Sequence, residues 1–457
     1  MSILDVVILA AGKGTRMRSS KPKVMQTLAG KPLLAHVIEN ASELSPTRIH
    51  LVVGHGAEHV RGHFNGKEAS GLNYIAQTEQ LGTGHAVQQT LPHTHADGIT
   101  LILYGDVPLV QSSTLETLVA QAQSSGFGLL SVQLDDPTGY GRIVRDANGK
   151  ATCIVEQKDA NAEQLKIQEV NTGMMAVKTA LLNRWLPALS NDNAQGEYYL
   201  TDIVASAVAD NVSVSVVSSP TELEVTGINN RLQQMQVERA FQLQQAEGFL
   251  AEGLALADAA RFDVRGALSF GMDCVIDINC VFEGKVVLGN HVTIESNCVI
   301  KNCEIGDGTH IKANSVLDDS VIGTACDIGP YARVRPGTRL MDSSKIGNFV
   351  ETKKALIGKG SKINHLSYVG DAEVGEQVNI GAGTITCNYD GVNKHKTQIE
   401  DGVFVGSNTA IVAPVKVGKN ATIGAGSTIT GNIEAEDLAV ARSKQRNLKG
   451  WQRPQKK

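Results

Sequence analysis

Large apolar residues return at about every sixth position between residues 270 and 430. With occasional one-residue slips they are Ile276, Phe282, Leu288, Ile294, Ile300, Ile305, Ile311, Leu317, Ile322, Ile328, Val334, Leu340, Ile346, Ile357, Ile363, Val369, Val374, Ile380, Ile399, Val405, Ile411, Val417, Ile423 and Ile429. A small residue such as Ala332, Ser344 or Ala421 stands two positions earlier. A period of six fits neither a helix at 3.6 residues nor a half-buried strand at 2. It predicts a short strand and a corner, repeated in coils that stack as parallel strands about 4.8 Å apart.

This pattern resembles the hexapeptide-repeat left-handed β-helix, a triangular prism with three repeats in each coil. The left hand is implied by the resemblance, since the general rule for parallel crossovers would predict a right-handed connection. The resemblance also implies that prisms associate side by side as a homotrimer. Between Thr386 and Ile399 about seven extra residues interrupt the register, and we interpret them as a loop outside the prism.

The composition limits the classes of function. A chain of 457 residues is long enough for two or more domains. A net charge of −5 argues against nucleic acid as the main partner. No apolar run approaches the ~18 residues of a membrane span, so we expect no membrane partner and a cytoplasmic protein.

Most of the cysteines follow the repeat. Those in its small-residue position are Cys274, Cys280, Cys298, Cys303 and Cys326. We therefore expect them to be buried as small apolar side chains, rather than to form disulfides or bind metal. Cys153 and Cys387 are isolated and have no metal-like neighbours.

The chain before residue 230 has a different rhythm, in which short apolar runs alternate with amphipathic stretches. The runs are 6–11, 49–53, 72–76, 99–104, 129–134 and 212–217, and stretches 33–44 and 115–122 separate some of them. This alternation predicts an α/β, Rossmann-like domain with a mostly parallel sheet and a ligand site at the carboxyl ends of the strands. Apolar residues at helical spacing from Leu232 to Leu250 predict a linker helix. We therefore predict domains at 1–231 and 253–457, joined by a helix over 232–252.

A glycine-containing motif, LAAGKGTRM from Leu9 to Met17, follows the first predicted strand. Its glycines would let the backbone approach a ligand, and Lys13, Arg16 and Lys23 add positive charge for a phosphate. The alternative is a glycine turn with solvated lysines. The motif lacks the GxxxxGK[ST] pattern of a Walker loop and the third glycine of the dinucleotide fingerprint.

LAAGKGTRM with Pro22 and Lys23, followed by Gln77, LGTGHA at 81–86 and YGDVP at 104–108, resembles the sugar-1-phosphate nucleotidyltransferases, and most closely their uridylyltransferase branch. The resemblance implies a site for UTP and the sugar nucleotide. Its implied residues are Leu9, Ala10, Ala11, Gly12, Arg16, Lys23, Gln77, Gly82, Thr83, Tyr104, Gly105, Asp106, Gly141, Glu156, Asn171 and Asn229. Three of these residues, Gly141, Glu156 and Asn171, are the expected contacts to the sugar. In isolation each would be interpreted as a turn or strand-edge residue.

Asp106 follows an apolar run, which places its carboxylate at the carboxyl edge of the sheet. A turn role before Pro108 is one reading, and a Mg²⁺ ligand is the other, since Mg²⁺ takes one or two protein oxygens plus phosphate and water. Asn229 precedes the predicted linker helix and would in isolation be interpreted as its cap. The resemblance makes it the second Mg²⁺ ligand, and the two roles are compatible.

Polar residues that break the plain hexad concentrate between Arg335 and Lys396. His365 stands two positions beyond the inward-facing Ile363, at a corner or on the outer face, where a solvated histidine is the ordinary case. HLSYVGDAEVG from 365 and NIGAGTITCNYDG from 379, however, resemble the acetyltransferase half of the bifunctional enzymes that make UDP-N-acetylglucosamine. That resemblance makes His365 the base that takes a proton from the attacking amine, which suits a side chain that ordinarily titrates between pH 5 and 8.

The same resemblance assigns two groups of binding residues. Those for glucosamine 1-phosphate are Arg335, Lys353, Tyr368, Asn379 and Lys394, and those for acetyl-CoA are Ala382, Asn388, Tyr389, Ser407, Ala425 and Arg442. Glu351 is a candidate to polarise the histidine or the amine. For Ala382, Ser407 and Ala425 a purely structural role stays open, because the repeat itself favours small residues.

The resemblance covers the whole chain and implies two reactions. Acetyl-CoA acetylates glucosamine 1-phosphate at the prism, and UTP with Mg²⁺ uridylylates N-acetylglucosamine 1-phosphate at the sheet, which supplies precursors of peptidoglycan and lipopolysaccharide. One alternative is a single-site sugar-1-phosphate nucleotidyltransferase with a non-catalytic β-helix, and another is a non-catalytic trimeric scaffold.

Overall fold

The computed structural model describes residues 3–64 and 71–456. The chain divides into two compact units, Met1–Phe241 and Gln242–Lys457. The helix Arg231–Ala251 begins in the first unit and ends in the second. No helix in the described part of the chain is long and apolar enough to cross a membrane.

A mixed sheet forms the centre of the first unit. From edge to edge its main strands are Ser213–Ser218, Gly126–Gln133, Glu169–Lys178, Ile99–Tyr104, Leu4–Ala10, Arg48–Val53 and Leu72–Ala76. Neighbouring strands run parallel except around Glu169–Lys178, which is antiparallel to both neighbours. The predicted α/β sheet is confirmed, whereas this antiparallel strand and a hairpin of Arg142–Arg145 with Ala151–Val155 were not predicted.

Apolar side chains alternate between the two faces of this sheet because successive residues of a strand point to opposite sides. Val6 and Ile8 pack in one core layer and Val7 in the other, and all three are fully buried. The helices of this unit that precede the linker helix are Leu33–Glu43, Ala57–Phe64, Thr83–Gln88, Ser112–Ser125, Thr179–Trp185, Ile203–Ala209 and Glu222–Val225. Helices therefore cover both faces, and the ends of the central strands stay open to solvent.

The strand order reverses at Leu4–Ala10, which pairs with Arg48–Val53 on one side and with Ile99–Tyr104 on the other. In a parallel sheet such a reversal opens a crevice beyond the carboxyl ends of the two strands. The motif from Leu9 and the segment that contains Asp106 both begin there.

The second unit is a column of stacked coils, as the hexad pattern predicts. Ile276 pairs with Ile294 and Ile294 with Ile311 in parallel register, so each coil returns to the same strand position after three hexads or one residue fewer. One column of strands is Ala255–Leu256, Val275–Ile276, Thr293–Ile294, His310–Ile311, Asp327–Ile328, Lys345–Asn348, Lys362–His365, Asn379–Ile380, Phe404–Val405, Thr422–Ile423 and Leu438–Ala439.

The remaining strands of the column belong to one bent sheet. They are Phe262–Ser269, Cys280–Leu288, Val299–Lys301, Glu304–Ile305, Val316–Asp318, Val321–Ile322, Arg333–Val334, Arg339–Leu340, Glu351–Ile357, Tyr368–Val374, Ile385–Cys387, Thr397–Ile399, Ala410–Val412, Val415–Val417 and Thr428–Ile429. Glu351–Ile357 pairs with Arg333–Val334 through its first half and with Arg339–Leu340 through its second half. Each coil therefore passes through three strand positions, which makes the column a prism.

The large hexad residues fill the interior of the prism, and the small residues fill the space beside them. Ile363 and Ile380 are 0% and 2% exposed, and the small Ser361 is fully buried as well. The five cysteines of the small-residue position are buried and free, as predicted. Burial raises the pKa of the Cys303 thiol to about 11, so this side chain is neutral and unreactive.

The predicted insertion is present. Ile363 pairs with Ile380 after a coil of ordinary length, whereas the next coil is longer and brings Val405 opposite Ile380. The extra residues form a loop in which Tyr389 bridges to Lys394 and Val392 is 84% exposed.

Candidate active sites

A cleft of about 530 Å³ opens at the reversal of strand order in the first unit. Of the residues assigned to the nucleotide, those that line it are Leu9, Ala10, Ala11, Gly12, Arg16, Lys23, Gln77, Gly82, Thr83, Tyr104, Asp106 and Asn229. Segments that are distant in the sequence thus meet at one place.

Lys23, Asp106 and Asn229 form a polar cluster in this cleft. Lys23 Nζ makes a short ion pair with Asp106 Oδ2 and donates to Asn229 Oδ1 at 3.1 Å. Arg16 Nη2 also donates to Asn229 Oδ1, at 3.2 Å. The carboxylate and the amide oxygen therefore converge on a single ammonium group. One carboxylate and one neutral oxygen, with room for phosphate and water, is a donor set that fits Mg²⁺.

The side chain of Asn229 is available for this cluster because its neighbour caps the helix Arg231–Ala251. Gln233 N donates to Asn230 Oδ1 at 2.9 Å, and Gln233 Oε1 accepts from Asn229 N at 2.8 Å. The cap role that the sequence suggested for Asn229 thus belongs to Asn230.

Two glutamine side chains fix the loop that follows Leu72–Ala76 at the cleft. Gln77 Nε2 donates to Gly82 O at 3.1 Å, and Gln80 Nε2 donates to Ala11 O at 2.8 Å. Gln80 was missed in the sequence because it belongs to no recognised motif. The first bond closes the loop after Leu72–Ala76 on itself, and the second holds that loop against the loop that follows Leu4–Ala10.

Three glycines of the cleft have different structural reasons. Gly82 has φ +111°, and a Cβ there would lie 2.6 Å from Tyr198 O, so only glycine fits. Gly105 lies outside the lining, donates to Leu9 O at 3.0 Å and would bring a Cβ within 3.1 Å of Val24 Cγ1. A Cβ on Gly12 would meet nothing within 4 Å, so glycine at this position leaves the space of the cleft free.

Gly141, Glu156 and Asn171 lie beside one another but outside the lining of this cleft. Asn171 N donates to Gly141 O at 2.9 Å, and a Cβ on Gly141 would lie 3.2 Å from Glu156 Oε1. Thr201 Oγ1 donates to Glu156 Oε1 at 3.2 Å. Burial raises the pKa of the Glu156 carboxyl, which the hydrogen bond from Thr201 only partly opposes.

The chain neighbours of these three residues do reach the cleft. Tyr140 precedes Gly141, Thr172 follows Asn171, and both line it together with Glu197. Tyr104 lies under this region, where burial raises the pKa of its hydroxyl far above the ordinary value. Sequence reasoning missed Tyr140, Thr172 and Glu197, because Tyr140 and Glu197 lie in loops and Thr172 in the antiparallel strand Glu169–Lys178, and only the fold brings these segments to the cleft.

A larger cavity of about 800 Å³ lies elsewhere in the first unit, and the residues that line it come from the segment between Lys31 and Leu72 of the sequence. None of the predicted site residues lines it. Part of its wall adjoins residues outside the described ranges, so we assign no role to it.

Three cations assigned to the sugar phosphate come together on the prism. Val334 pairs with Thr352 on adjacent parallel strands. Arg335 follows Val334 and Lys353 follows Thr352, so Arg335 and Lys353 lie next to each other. The nearby positive charges of Lys394 and Arg335 lower the pKa of the Lys353 ammonium. Arg335, Lys353 and Lys394 thus place three positive charges close together, as a site for a phosphate dianion requires.

Tyr368 and Glu351 complete the surroundings of these cations. Tyr368 covers Gly370, the register partner of Lys353, since a Cβ on Gly370 would clash with the Tyr368 hydroxyl. Glu351 Oε1 accepts from Arg335 Nη1 at 2.5 Å. The carboxylate proposed to polarise the histidine is thus engaged by Arg335.

His365 and three of the predicted coenzyme residues, Ala382, Ser407 and Ala425, form one column along the prism. Lys362–His365, Asn379–Ile380, Phe404–Val405 and Thr422–Ile423 pair in consecutive register, with Asn379 at the first position of its strand. Counting from the paired isoleucine or valine, His365, Ala382, Ser407 and Ala425 occupy the same corner position in successive coils. The sequence identified these residues separately, and the register aligns them.

Two further contacts, one made by an arginine and one by the inserted loop, adjoin this column. Arg442 Nη1 donates to Ala425 O, so Arg442 lies against the column. Asn388 Nδ2 donates to Asp371 Oδ2 and thereby ties the inserted loop to the preceding coil, while Tyr389 is 60% exposed in the loop. Asp371 was not recognised in the sequence.

His365 is exposed, and its Nδ1 lies 2.8 Å from Asn348 Oδ1 of the preceding coil. Asn348 and His365 are register partners at the ends of adjacent strands. Sequence reasoning missed Asn348, because a partner that lies a full coil away carries no local signal.

In the described chain no group of three or more His, Cys, Asp or Glu side chains is placed to hold a metal ion. The pair formed by Asp106 and Asn229 is a smaller set than such a group and is judged on its own geometry.

Comparisons with known proteins match both units. The model of the MobA-like NTP transferase domain matches residues 6–157, that of the GMPPB C-terminal domain residues 264–341, and that of the bacterial transferase hexapeptide (six repeats) residues 396–431. The chain is 63% identical over 455 residues to the bifunctional protein GlmU of Saccharophagus degradans. It is 60% identical over 456 residues to that of Marinobacter nauticus and 59% identical over 455 residues to that of Cellvibrio japonicus. All three alignments cover 100% of this chain and of the relative.

Proposed function

We infer the function of this chain from its family: it belongs to the bifunctional GlmU proteins, with 55–63% identity over 99–100% of its length. It is a bifunctional transferase of UDP-N-acetylglucosamine biosynthesis. One activity transfers acetyl from acetyl-CoA to glucosamine 1-phosphate, and the other transfers uridylyl from UTP to N-acetylglucosamine 1-phosphate. The product supplies peptidoglycan and lipopolysaccharide synthesis. End-to-end similarity favours this function over a single-site nucleotidyltransferase or a scaffold, because both halves are retained.

The cleft of the first unit is the proposed uridylyl-transfer site. Leu9 to Gly12 with Gln77, Gly82 and Thr83 would hold uracil and ribose, and Gly141, Glu156 and Asn171 would contact the sugar. Asp106 and Asn229 would hold Mg²⁺, which neutralises phosphate charge when bound. The convergence of their oxygens on Lys23 Nζ supports this assignment.

In this reaction a sugar 1-phosphate oxygen attacks the α-phosphorus of UTP. The new P–O bond forms as the bond to the β-phosphate breaks, and pyrophosphate leaves. The phosphate nucleophile is already ionised, so no general base is needed. Lys23 and Arg16 would orient the phosphates and offset their negative charge, and such positioning lowers the barrier without any proton transfer.

The prism carries the proposed acetyl-transfer site. Arg335, Lys353 and Lys394 would bind the sugar phosphate, with Tyr368 and Asn379 on the sugar. Ala382, Asn388, Tyr389, Ser407, Ala425 and Arg442 would line the groove for acetyl-CoA. The aligned column from His365 to Ala425 supports this assignment, because it offers an extended surface that begins at the base.

The chemistry requires removal of one proton. The amine nitrogen attacks the thioester carbonyl, the N–C bond forms, and the C–S bond breaks to release coenzyme A. His365 would take the proton from the nitrogen and return it to the departing sulfur. A base in this role typically contributes ~10²–10⁴ in rate.

We also propose that three copies of the chain associate through their prisms. Tyr331, Phe349 and Leu366 stand on consecutive coils and are 52%, 56% and 64% exposed. Tyr331 and Phe349 stack at 5.3 Å. A row of exposed apolar side chains supports burial against another copy. A cytoplasmic location and domain limits at 1–231 and 253–457, with a linker at 232–252, complete the proposal.

One assay tests the two activities together. The purified chain is incubated with acetyl-CoA, glucosamine 1-phosphate, UTP and Mg²⁺, while free thiol and pyrophosphate are followed separately. We expect both to appear, with pyrophosphate dependent on acetyl-CoA. Pyrophosphate release from supplied N-acetylglucosamine 1-phosphate without any thiol release would reduce the protein to a nucleotidyltransferase.

A further inference from the structure

The orientation of the His365 ring depends on a residue that none of the family motifs identified. His365 ends the strand Lys362–His365, and Asn348 ends the strand Lys345–Asn348 of the preceding coil. The two are register partners, and Nδ1 of the ring lies 2.8 Å from Asn348 Oδ1. We propose that Asn348 is a positioning residue for the acetyl-transfer base, and this proposal rests on the function assigned to His365 above.

The contact with Asn348 selects one tautomer of the imidazole. A neutral imidazole carries a hydrogen on one ring nitrogen and a lone pair on the other. An amide oxygen can only accept, so its contact with Nδ1 stabilises the tautomer with hydrogen on Nδ1. The lone pair is then on Nε2, the atom that must receive the proton of the amine.

The core of the prism fixes the backbone of the two strands that carry Asn348 and His365. Ile346 and Ile363, two positions before Asn348 and His365, are both 0% exposed and pair with each other inside the prism. The backbone of both strands is therefore fixed by the core, although the imidazole itself is exposed. A side-chain hydrogen bond is what restricts rotation of an exposed ring.

The charged side chains near His365 do not restrain its ring in the same way. Lys345 and Lys362 begin the two strands and are exposed, and neither can accept a hydrogen bond from Nδ1. Glu351 lies beyond the corner and accepts from Arg335 at 2.5 Å. The amide of Asn348 is thus the acceptor that the structure places on the ring.

Two substitutions separate orientation from simple structural support. Asn348→Ala removes the acceptor, and we expect kcat for acetyl transfer to fall by roughly ten- to a hundredfold, the usual effect of losing a partner that orients a histidine, with little change in KM for acetyl-CoA. Asn348→Asp keeps an acceptor but adds a negative charge. It should recover much of the rate and move the acid limb of the kcat/KM profile to higher pH by roughly one to three units.

The control is Asn290→Ala, which also removes an asparagine side-chain bond between coils, here to Asp307 at 3.2 Å. We expect this variant to retain acetyl transfer. Uridylyl transfer measured on every variant reports whether the first unit is intact, and the urea midpoint reports stability of the prism.

The outcomes are distinct. If the wild-type chain releases no thiol, the proposed function fails before Asn348 is tested. If the wild type is active and Asn348→Ala matches it, or if Asn348→Asp leaves the pH profile unchanged, the positioning role is overturned. A loss in Asn348→Ala with a lowered urea midpoint equal to that of Asn290→Ala, and with no shift in Asn348→Asp, would also contradict it and indicate structural support only.

Discussion

Replacement of Lys353 by methionine should weaken binding of the sugar phosphate while leaving the prism at least as stable as before. Lys353 lies among cations, and Lys394 and Arg335 lower the pKa of its ammonium. In the folded chain this charge therefore meets repulsion, which the substitution relieves. Such a residue is retained for the ligand that it binds rather than for stability.

The size of the binding effect follows from the phosphate contact. A hydrogen bond to a charged group typically changes an equilibrium constant by roughly ten- to a hundredfold. We therefore expect Lys353→Met to raise KM for glucosamine 1-phosphate by about that factor. KM for acetyl-CoA should stay within about twofold, because Ala382, Ser407 and Ala425 of the predicted coenzyme site lie in a separate column of the prism.

The assay is thiol release at varied glucosamine 1-phosphate, repeated at low and high salt. The matched control is Lys312→Met, a partly exposed lysine of the same prism that pairs with Asp327 at 2.7 Å. The control should keep both KM values, and the salt dependence of KM should be weaker in Lys353→Met than in wild type. A rise confined to KM for acetyl-CoA, or an unchanged KM for the sugar phosphate, would refute the assignment of the cation cluster.

Three further outcomes can be measured directly. Gly82→Ala should impair uridylyl transfer and spare acetyl transfer, because a Cβ would lie 2.6 Å from Tyr198 O at φ +111°. Rates that change by the same factor in both assays, relative to wild type, would contradict this. Ile363→Ala should destabilise the prism by about 2–5 kcal/mol in urea unfolding, the usual cost of a cavity at a fully buried isoleucine, and an unchanged midpoint would disprove close packing there. Burial raises the pKa of Asp5, but His50, whose Nε2 lies 3.6 Å from Asp5 Oδ1, and hydrogen bonds from His95 together lower it more, so the net pKa lies below its ordinary value. The stability that Asp5 contributes is then present above about pH 4, the value for an unfolded aspartate, and is lost as the pH falls through the lower folded value. The urea midpoints of wild type and Asp5→Asn should therefore differ by their full amount above about pH 5 and converge as the pH falls below it; a constant difference would contradict the lowered pKa.

The prism could be predicted from the sequence because its signal is local and repeated. Ile363 and Ile380 are each set by the same few neighbouring positions, and burial of both confirms the pattern. The alternating runs before residue 230 predicted the sheet for a similar reason. The direction of Glu169–Lys178 was not predictable in this way, because an apolar strand reads alike whether it runs parallel or antiparallel.

The polar partners of the sites were harder to predict. Asn348 reaches His365 across a full coil, and Asp371 reaches Asn388 across the same separation, so both pairs depend on the register between coils. Asn229 and Asn230 are adjacent and chemically identical, and only the helix start decides which one caps. Motif resemblance supplied most of the candidate residues, whereas the contacts among them follow from the fold.

We propose that one chain carries two independent active sites, and reciprocal single substitutions can separate their activities. Asp106→Asn and His365→Ala are each assayed for pyrophosphate release from UTP and for thiol release from acetyl-CoA. We predict that Asp106→Asn loses only pyrophosphate release and that His365→Ala loses only thiol release. Loss of both activities in a variant that remains folded, or retention of thiol release by His365→Ala, would contradict the account.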